Sequence, residues 1–368
     1  MKMQLRKKFL PLAIAASLGS LNAFANDTAS ALKGSILGPN GNPATGTKIT
    51  IIHIPSGSTK TTLIGESGGF STKGLRVGGP YKIEVESEQF EDTVVDNIFL
   101  TLGKTYPISV KLNSKENMEQ IEVTGRPLSM QSGGTGPATH FTLSDIENRP
   151  AINRDIKDIV RTDPRIYIDE SSSGAIQCAG GNPRFNSLTL DGVRMNDNFG
   201  LNSNGYPTER MPFSFDSIEQ VAVELAPFDV QYGGFTSCNI NAVSKSGTND
   251  IRGGVFIDYT SDSLSGDKAD GVSKDIGSYD EKRYGFNVGL PLIKDTLFLF
   301  TSYEKLDGAQ VFEYNAFGTG DNDIDQATVD RIIDIAKTNY DYDPGSLVPS
   351  LPVDDEKLLI KLDWNIND

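Results

Sequence analysis

Apolar and polar positions alternate in period two along most of this chain, and the alternation falls into three stretches. From Ala31 to Leu112 the pattern predicts strands at Leu32–Leu37, Thr47–His53, Thr59–Ile64, Tyr81–Glu86 and Thr105–Leu112. Gly38-Pro39-Asn40-Gly41, Gly68-Gly69 and Gly78-Gly79-Pro80 punctuate them with turn chemistry. Several short antiparallel strands in so few residues predict a small β-sandwich over 27–112.

The stretch 138–249 reads differently. Ser144 is placed to cap a helix, and Ile146, Ile152, Ile156, Ile159 and Val160 follow at near-helical spacing. Strands are predicted at Arg165–Ile168, Ser187–Leu190 and Ile218–Leu225, and Asp191-Gly192 marks a tight turn. The remainder is rich in loop residues. Loops this long are either functional or packed inside something else.

Four long amphipathic strands are predicted in 250–368, at Ile251–Asp262, Arg283–Ile293, Thr296–Leu306 and Glu356–Asn367. Val255, Ile257 and Tyr259 share one face of the first, and Leu358, Ile360, Leu362 and Trp364 one face of the last. Phe298 and Phe300 blur the alternation of the third. The connections alternate: long polar loops at 263–282 and 307–355, and a tight turn at Lys294-Asp295 between them. Strands of about ten residues with one apolar face, joined alternately by long loops and short turns, predict a transmembrane β-barrel. Four strands cannot close one, because an open sheet edge is not tolerated in lipid. The expectation is an N-terminal fragment of a longer protein. In the second long loop Asp325 would cap a helix over Gln326–Thr338. Asp321, Asp323 and Asp325 have calcium-loop spacing, but Gln326 stands where glycine is required and Ile332 where Glu is, so the loop reads as solvated and acidic.

The N-terminus adds an address. Lys2, Arg6, Lys7 and Lys8 precede an apolar run from Phe9 to Leu18, and Ala23-Phe24-Ala25 supplies a cleavage pattern, placing the cut between Ala25 and Asn26. Removing residues 1–25 takes the net charge from -15 to -19, by loss of those four cations. No basic stripe exists to replace counterions on phosphate, so nucleic acid is not an expected partner. His53 and His140 stand alone, without the spacing of a zinc hydrolase, so neither a metal site nor a cofactor is predicted. Cys178 and Cys238 both lie in the second stretch; export favours a disulfide between them, two buried thiols being the alternative.

Between the sandwich and the second stretch, 113–137 has linker composition. Within it Ile121, Glu122, Val123 and Thr124 form a short alternating strand former. Such a strand in a tether can add to the edge of another protein's sheet. It can equally be a last strand of the sandwich or a strand of the next domain.

Three sets of residues carry family resemblances. "GSILGPNGNPATGTKITI" and "TTLIGESGGFSTKGLRVGGPYKIEVESEQF" resemble the carboxypeptidase-regulatory-like domain, a transthyretin-like sandwich without a peptidase site. Ser67 departs from the family's frequent Asp. "DIVRTDPRIYID", "FNSLTLDGVRMND" and "SFDSIEQVAVELAPFDVQYGGFTSCNINAVSKSGTN" fall in the order of a TonB-dependent receptor plug, and "ELAPFDVQYGGF" is similar to the Oar-like subgroup. The expected fold is mainly β: sandwich, α+β plug, then the first strands of an outer-membrane barrel. The resemblance implies a Gram-negative outer-membrane receptor with its N-terminal domain in the periplasm. It would take up a peptide, oligosaccharide or chelate, with Ile121–Thr124 as the TonB box that meets a TonB-type energy-coupling partner. Many plugs have Arg-Gly-Pro where this chain has Leu225-Ala226-Pro227, so their arginine lock to the barrel cannot be carried over, and Glu219 and Glu224 have no assigned partner. A second reading is a surface adhesion or carbohydrate-binding protein that uses the sandwich as its binding module. An enzyme is not expected, since no nucleophile–base pair or metal constellation is present.

Overall fold

The computed structural model describes residues 28–115, 137–172, 174–227, 232–266, 268–269, 271–273, 279–311, 326–345 and 350–366. The signal segment with Ala25 and Asn26, the strand former Ile121–Thr124 and the helix cap Asp325 lie outside the described residues.

The first unit contains β1 (Ser30–Leu37), β2 (Lys48–His53), β3 (Ser58–Leu63), β4 (Gly69–Leu75), β5 (Gly78–Glu86), β6 (Thr93–Leu100) and β7 (Thr105–Lys111). They form two sheets, β4-β1-β7 and β3-β2-β5-β6. Alternate residues point inward, so Leu32, Ile36, Ile49, Ile51, Ile83, Val85, Leu100 and Val110 make one buried core. Burying each stabilises by about 1.5–3 kcal/mol before the entropy of ordering is charged against it. The expected all-antiparallel pairing fails at one place. β1 pairs in parallel with β7, because the intervening chain crosses the other sheet before returning.

The middle unit is a five-stranded sheet in the order β12-β11-β14-β13-β8. Its strands are β8 (Ala138–Phe141), β11 (Ser187–Leu190), β12 (Val193–Arg194), β13 (Ile218–Leu225) and β14 (Cys238–Ser244); a hairpin of β9 (Ile166–Asp169) and β10 (Ala175–Cys178) packs beside it. The helical segment is two short helices, α1 (Leu143–Glu147) and α2 (Ile156–Val160), parted by a stretch containing Pro150. Ile152 belongs to neither and is exposed. Ser144 is not the cap. Thr142 holds that place: its hydroxyl accepts from the Asp145 backbone N–H, and the Asp145 carboxylate accepts from the Thr142 N–H at 2.9 Å. Ser144 falls inside the first turn. Phe141, Ile156, Ile159, Ile176, Leu188, Val221, Val223 and Ile240 fill the core.

The last unit is an open antiparallel sheet, β15-β18-β19-β20. β15 spans Arg252–Ser261, β18 Asp280–Ile293, β19 Leu297–Val311 and β20 Ser350–Trp364. A two-residue pair, β16 (Lys268–Ala269) and β17 (Val272–Ser273), decorates the first long loop, and α3 (Gln326–Tyr340) the second. The faces follow the predicted alternation. Val255, Ile257, Leu358, Ile360 and Trp364 are bare on one side, Val255 at 86% and Trp364 at 65%. Phe298, Phe300, Arg283 and Glu304 are buried on the other, where Glu304 and Arg283 meet Ser214 and Asn153 of the middle unit and Phe298 lies beneath Arg76 of the sandwich. The two phenylalanines that blurred the pattern of β19 are therefore inner-face residues. No described helix is long and apolar enough to cross a membrane, which leaves strands unaddressed.

Candidate functional site

The inner face of the open sheet carries charged side chains, and the middle unit meets them with matched groups. Asp191 and Gly192 both have positive φ, 49° and 77°, the geometry of a tight hairpin turn that glycine adopts without strain. The turn aims the Asp191 carboxylate at β14, where it accepts from the Ser244 backbone N–H at 2.9 Å and from the Ser244 hydroxyl. Lys361 on β20 then reaches across: its Nζ donates to the Ser244 carbonyl at 3.1 Å and lies 3.7 Å from Asp191 Oδ1. Higher on the sheet Glu304 is almost fully buried. It accepts from Ser214 Oγ at 2.7 Å and pairs with Lys357 at 2.9 Å. Arg210 lies 3.7 Å from Asp355.

Arg154 makes the third attachment. Its guanidinium pairs with Asp216 within the middle unit, stacks 3.7 Å from the Phe256 ring centroid of β15, and approaches Asp258 at 3.9 Å. Arg283 on β18 returns the contact by donating to the Asn153 carbonyl. These groups supply cross-unit ion pairs although Leu225-Ala226-Pro227 has no arginine. Glu224 is not among them: it accepts from the Tyr232 hydroxyl at 2.8 Å and from Asn239 Nδ2 at 3.0 Å, inside its own unit. Burial raises the Glu219 carboxyl above its ordinary range, against the opposing charge of Lys245. Glu219 lines a cavity of about 1170 Å³ with Arg76, Glu147, Lys245, Arg252 and Lys361.

That cavity lies where all three units meet. The sandwich touches the base of the open sheet there: Asn249 N–H donates to the Pro55 carbonyl at 2.7 Å, and Arg76 donates to Asn365 Oδ1 at 3.4 Å. At Gly57 an added Cβ would sit 1.9 Å from Asp295 Oδ1, so the Asp295 side chain would have to move to admit it. The sandwich also grips the middle unit through Gln220 on β13. The Leu102 N–H donates to Gln220 Oε1 at 2.9 Å, and Gln220 Nε2 donates to the Leu100 carbonyl at 3.1 Å. Val77, Leu102, Ala222 and Val243 form a small apolar cluster across this joint.

Where β8 enters the middle unit, Asp163 accepts from Thr139 Oγ1 at 2.6 Å and from Arg165 Nε at 2.9 Å. Arg165 and Thr139 hold the Asp163 carboxyl well below the usual carboxylate range. Cys178 and Cys238 are joined in the structure, with Cα atoms 5.9 Å apart, tying β10 to β14. Among the described residues no group of three or more His, Cys, Asp or Glu side chains could hold a metal ion. The site is one of docking and anchoring. The sequence pattern signalled Asp191 only as a turn residue and Lys361 only as a polar residue opposite the apolar face of its strand, and gave no signal for Arg154, Gln220 or Glu304.

Comparison with known proteins divides the chain the same way. Residues 31–113 match the carboxypeptidase regulatory-like domain, residues 131–237 the TonB-dependent receptor plug domain, and residues 243–328 an outer membrane beta barrel domain. The chain is 24% identical to the TonB-dependent transporter Oar of Myxococcus xanthus, an alignment covering 61% of this chain and 22% of that protein. It is 29% identical to a probable TonB-dependent siderophore receptor PirA of Acinetobacter baumannii, covering 53% of this chain and 26% of that protein. The chain thus spans about a quarter of the length of these curated relatives, which are a transporter and a receptor and not enzymes. Among solved structures it is similar to the outer membrane transporter YddB from Escherichia coli, at TM-score 0.44 and 15% identity, over 63% of this chain and 31% of that one. Barrel and plug domains together make this a Gram-negative outer-membrane protein.

Proposed function

We propose that this chain, with the domain content of a TonB-dependent receptor, belongs to a transporter that takes up an extracellular ligand when a periplasmic partner pulls on its tether. The observation that carries the reading is the two-sided sheet. Its inner face binds the plug through Lys361, Glu304, Arg283 and Phe256, while its outer face presents Val255, Ile257, Leu358, Ile360 and Trp364 bare, as lipid contact requires. Among the described residues the plug and this sheet share no apolar core cluster and meet through polar contacts, the kind of joint that a pull can open.

The partner-binding strand is assigned to Ile121, Glu122, Val123 and Thr124, on their alternation within a polar segment that joins sandwich to plug. The partner is a TonB-type coupling protein, and the ligand is a peptide, oligosaccharide or chelate held by outer loops and lumen residues. The test is binding of the partner's C-terminal domain to a peptide spanning Glu119 to Arg126. A Val123→Pro peptide lacks one backbone donor and should bind at least tenfold more weakly. Equal affinities would reject the assignment.

A further inference from the structure

The sandwich lies against one particular joint of the plug. β8 is the edge strand of the plug sheet and follows the tether directly; its one sheet neighbour is β13, over Val221–Glu224, and the Thr139 hydroxyl also ties it to Asp163 and Arg165. In that pairing His140 stands opposite Ala222. Directly opposed residues of paired strands project from the same face, so His140 and Ala222 share a face, and Phe141 and Val221 share the other. Phe141 and Val221 belong to the plug core. Ala222 belongs to the cluster with Leu102 and Val77 of the sandwich. The turn between β6 and β7 therefore covers the second face of the β8–β13 joint. Three further observations agree. Gln220, on β13 beside the joint, holds both Leu100 and Leu102 by hydrogen bonds. Lys104 of the same turn lies near enough for its charge, after burial, to help keep the His140 imidazole neutral, near a pKa of about 4. The buried His140 Nδ1 has no hydrogen-bond partner.

We propose that the β6–β7 turn of the sandwich is a lock on β8, docked in cis on the plug, so that β8 cannot leave β13 until the turn at Leu100–Lys104 lifts. This deepens the transport reading and rests on it for its biological meaning. The tether starts beyond β7 and ends at β8, so tension on it reaches both parts of the lock. Leu102 packs with plug residues and with Val77, outside the main core of the sandwich, so a substitution there should loosen the dock and leave both folds intact.

The experiment is hydrogen–deuterium exchange on the full-length receptor in detergent, following peptides 98–104 and 137–142. Wild type should protect both. Leu102→Glu places a charge in the apolar joint, and Gln220→Leu removes both hydrogen bonds. Each should speed exchange at least tenfold in 98–104 and also in 137–142, with β5 and β9 unchanged. A receptor lacking residues 27–112 should show the same acceleration in 137–142, which removes any doubt from a misfolded sandwich. Unchanged exchange of 137–142 in that deletion would overturn the proposal, as would a wild type whose 98–104 segment is already unprotected. Neither measurement uses the coupling partner, so failure here is separate from failure of the tether assignment.

Discussion

Lys361 of β20 sits 3.7 Å from Asp191, at the tip of a plug turn, and donates to the carbonyl of Ser244 beside it. One side chain of the barrel wall thus holds two strands of the plug, β14 directly and β11 through its turn. The pair is partly buried, with 21% and 27% of the two side chains exposed, so it is worth more than a surface ion pair. Lys361→Met should weaken plug seating by about 1.5–3 kcal/mol, the range for hydrogen bonds to a charged group. In a double-mutant cycle with Asp191→Asn the two losses should not add. The readout is the urea concentration at which the plug becomes open to protease in the detergent-solubilised protein; strictly additive effects would show that the two residues act apart.

The cysteines concern the plug alone. A bond between Cys178 and Cys238 closes a loop of 60 residues, worth roughly 4 kcal/mol on the chain-entropy view. Peptide mapping of periplasmically expressed, unreduced protein should recover the two cysteines linked, and reduction should lower the plug's melting temperature. Recovery of both as alkylated thiols without reduction would refute the bond.

His53 should make the sandwich sensitive to acid. Burial first, and the Arg76 charge second, lower its pKa to about 3, and its Nδ1 is 2.7 Å from Ser56 Oγ. The folded state thus favours the neutral ring, while the unfolded chain takes up a proton near pH 6.5. Its contribution is complete above pH 6.5 and is lost progressively as the pH falls toward 3. His53 is the only histidine in residues 27–115, so stability of that piece should decline between pH 6.5 and 5, before most carboxylates titrate. The decline should vanish in His53→Asn. Parallel curves for the two proteins would contradict this.

The lipid-facing surface can be checked by hydrodynamics. The described residues up to 249 hold two large buried apolar clusters, and residues 27–249 should run as a detergent-free monomer. Residues 27–368 expose Ile257, Ile360 and Trp364 on strands with open edges, and should aggregate or need detergent. A monodisperse 27–368 monomer on size-exclusion chromatography without detergent would count against the outer face as a lipid surface.

How far the sequence spoke depended on how each strand is buried. β18 and β20 separate one bare face from one covered face, so their alternation was plain in Tyr284, Phe286 and Val288 and in Leu358, Ile360 and Leu362. β14 is buried at every residue from Cys238 to Ser244, asparagines included, so the short Cys-Asn-Ile-Asn-Ala alternation of its sequence does not mark a bare and a covered face. β8 is four residues long and has meaning only beside β13. The capping role of Thr142 was hidden by a serine two residues on, and only the geometry of Asp145 decides between them. The docking residues were the least legible. Gln220 looks like any polar strand residue until Leu100 and Leu102, more than a hundred positions away, are brought to it. Lys361 and Asp191 are likewise joined by the fold and not by any local pattern.

The transport account stands on a partner engaging the tether, and the most direct measurement is cross-linking in intact cells. A photoreactive residue replacing Glu122 in the membrane-inserted protein should capture a TonB-type protein in the periplasm, and adding Val123→Pro should abolish the product while leaving protein levels unchanged. Equal capture with and without the proline, or no capture of any periplasmic coupling protein by the parent, would contradict it.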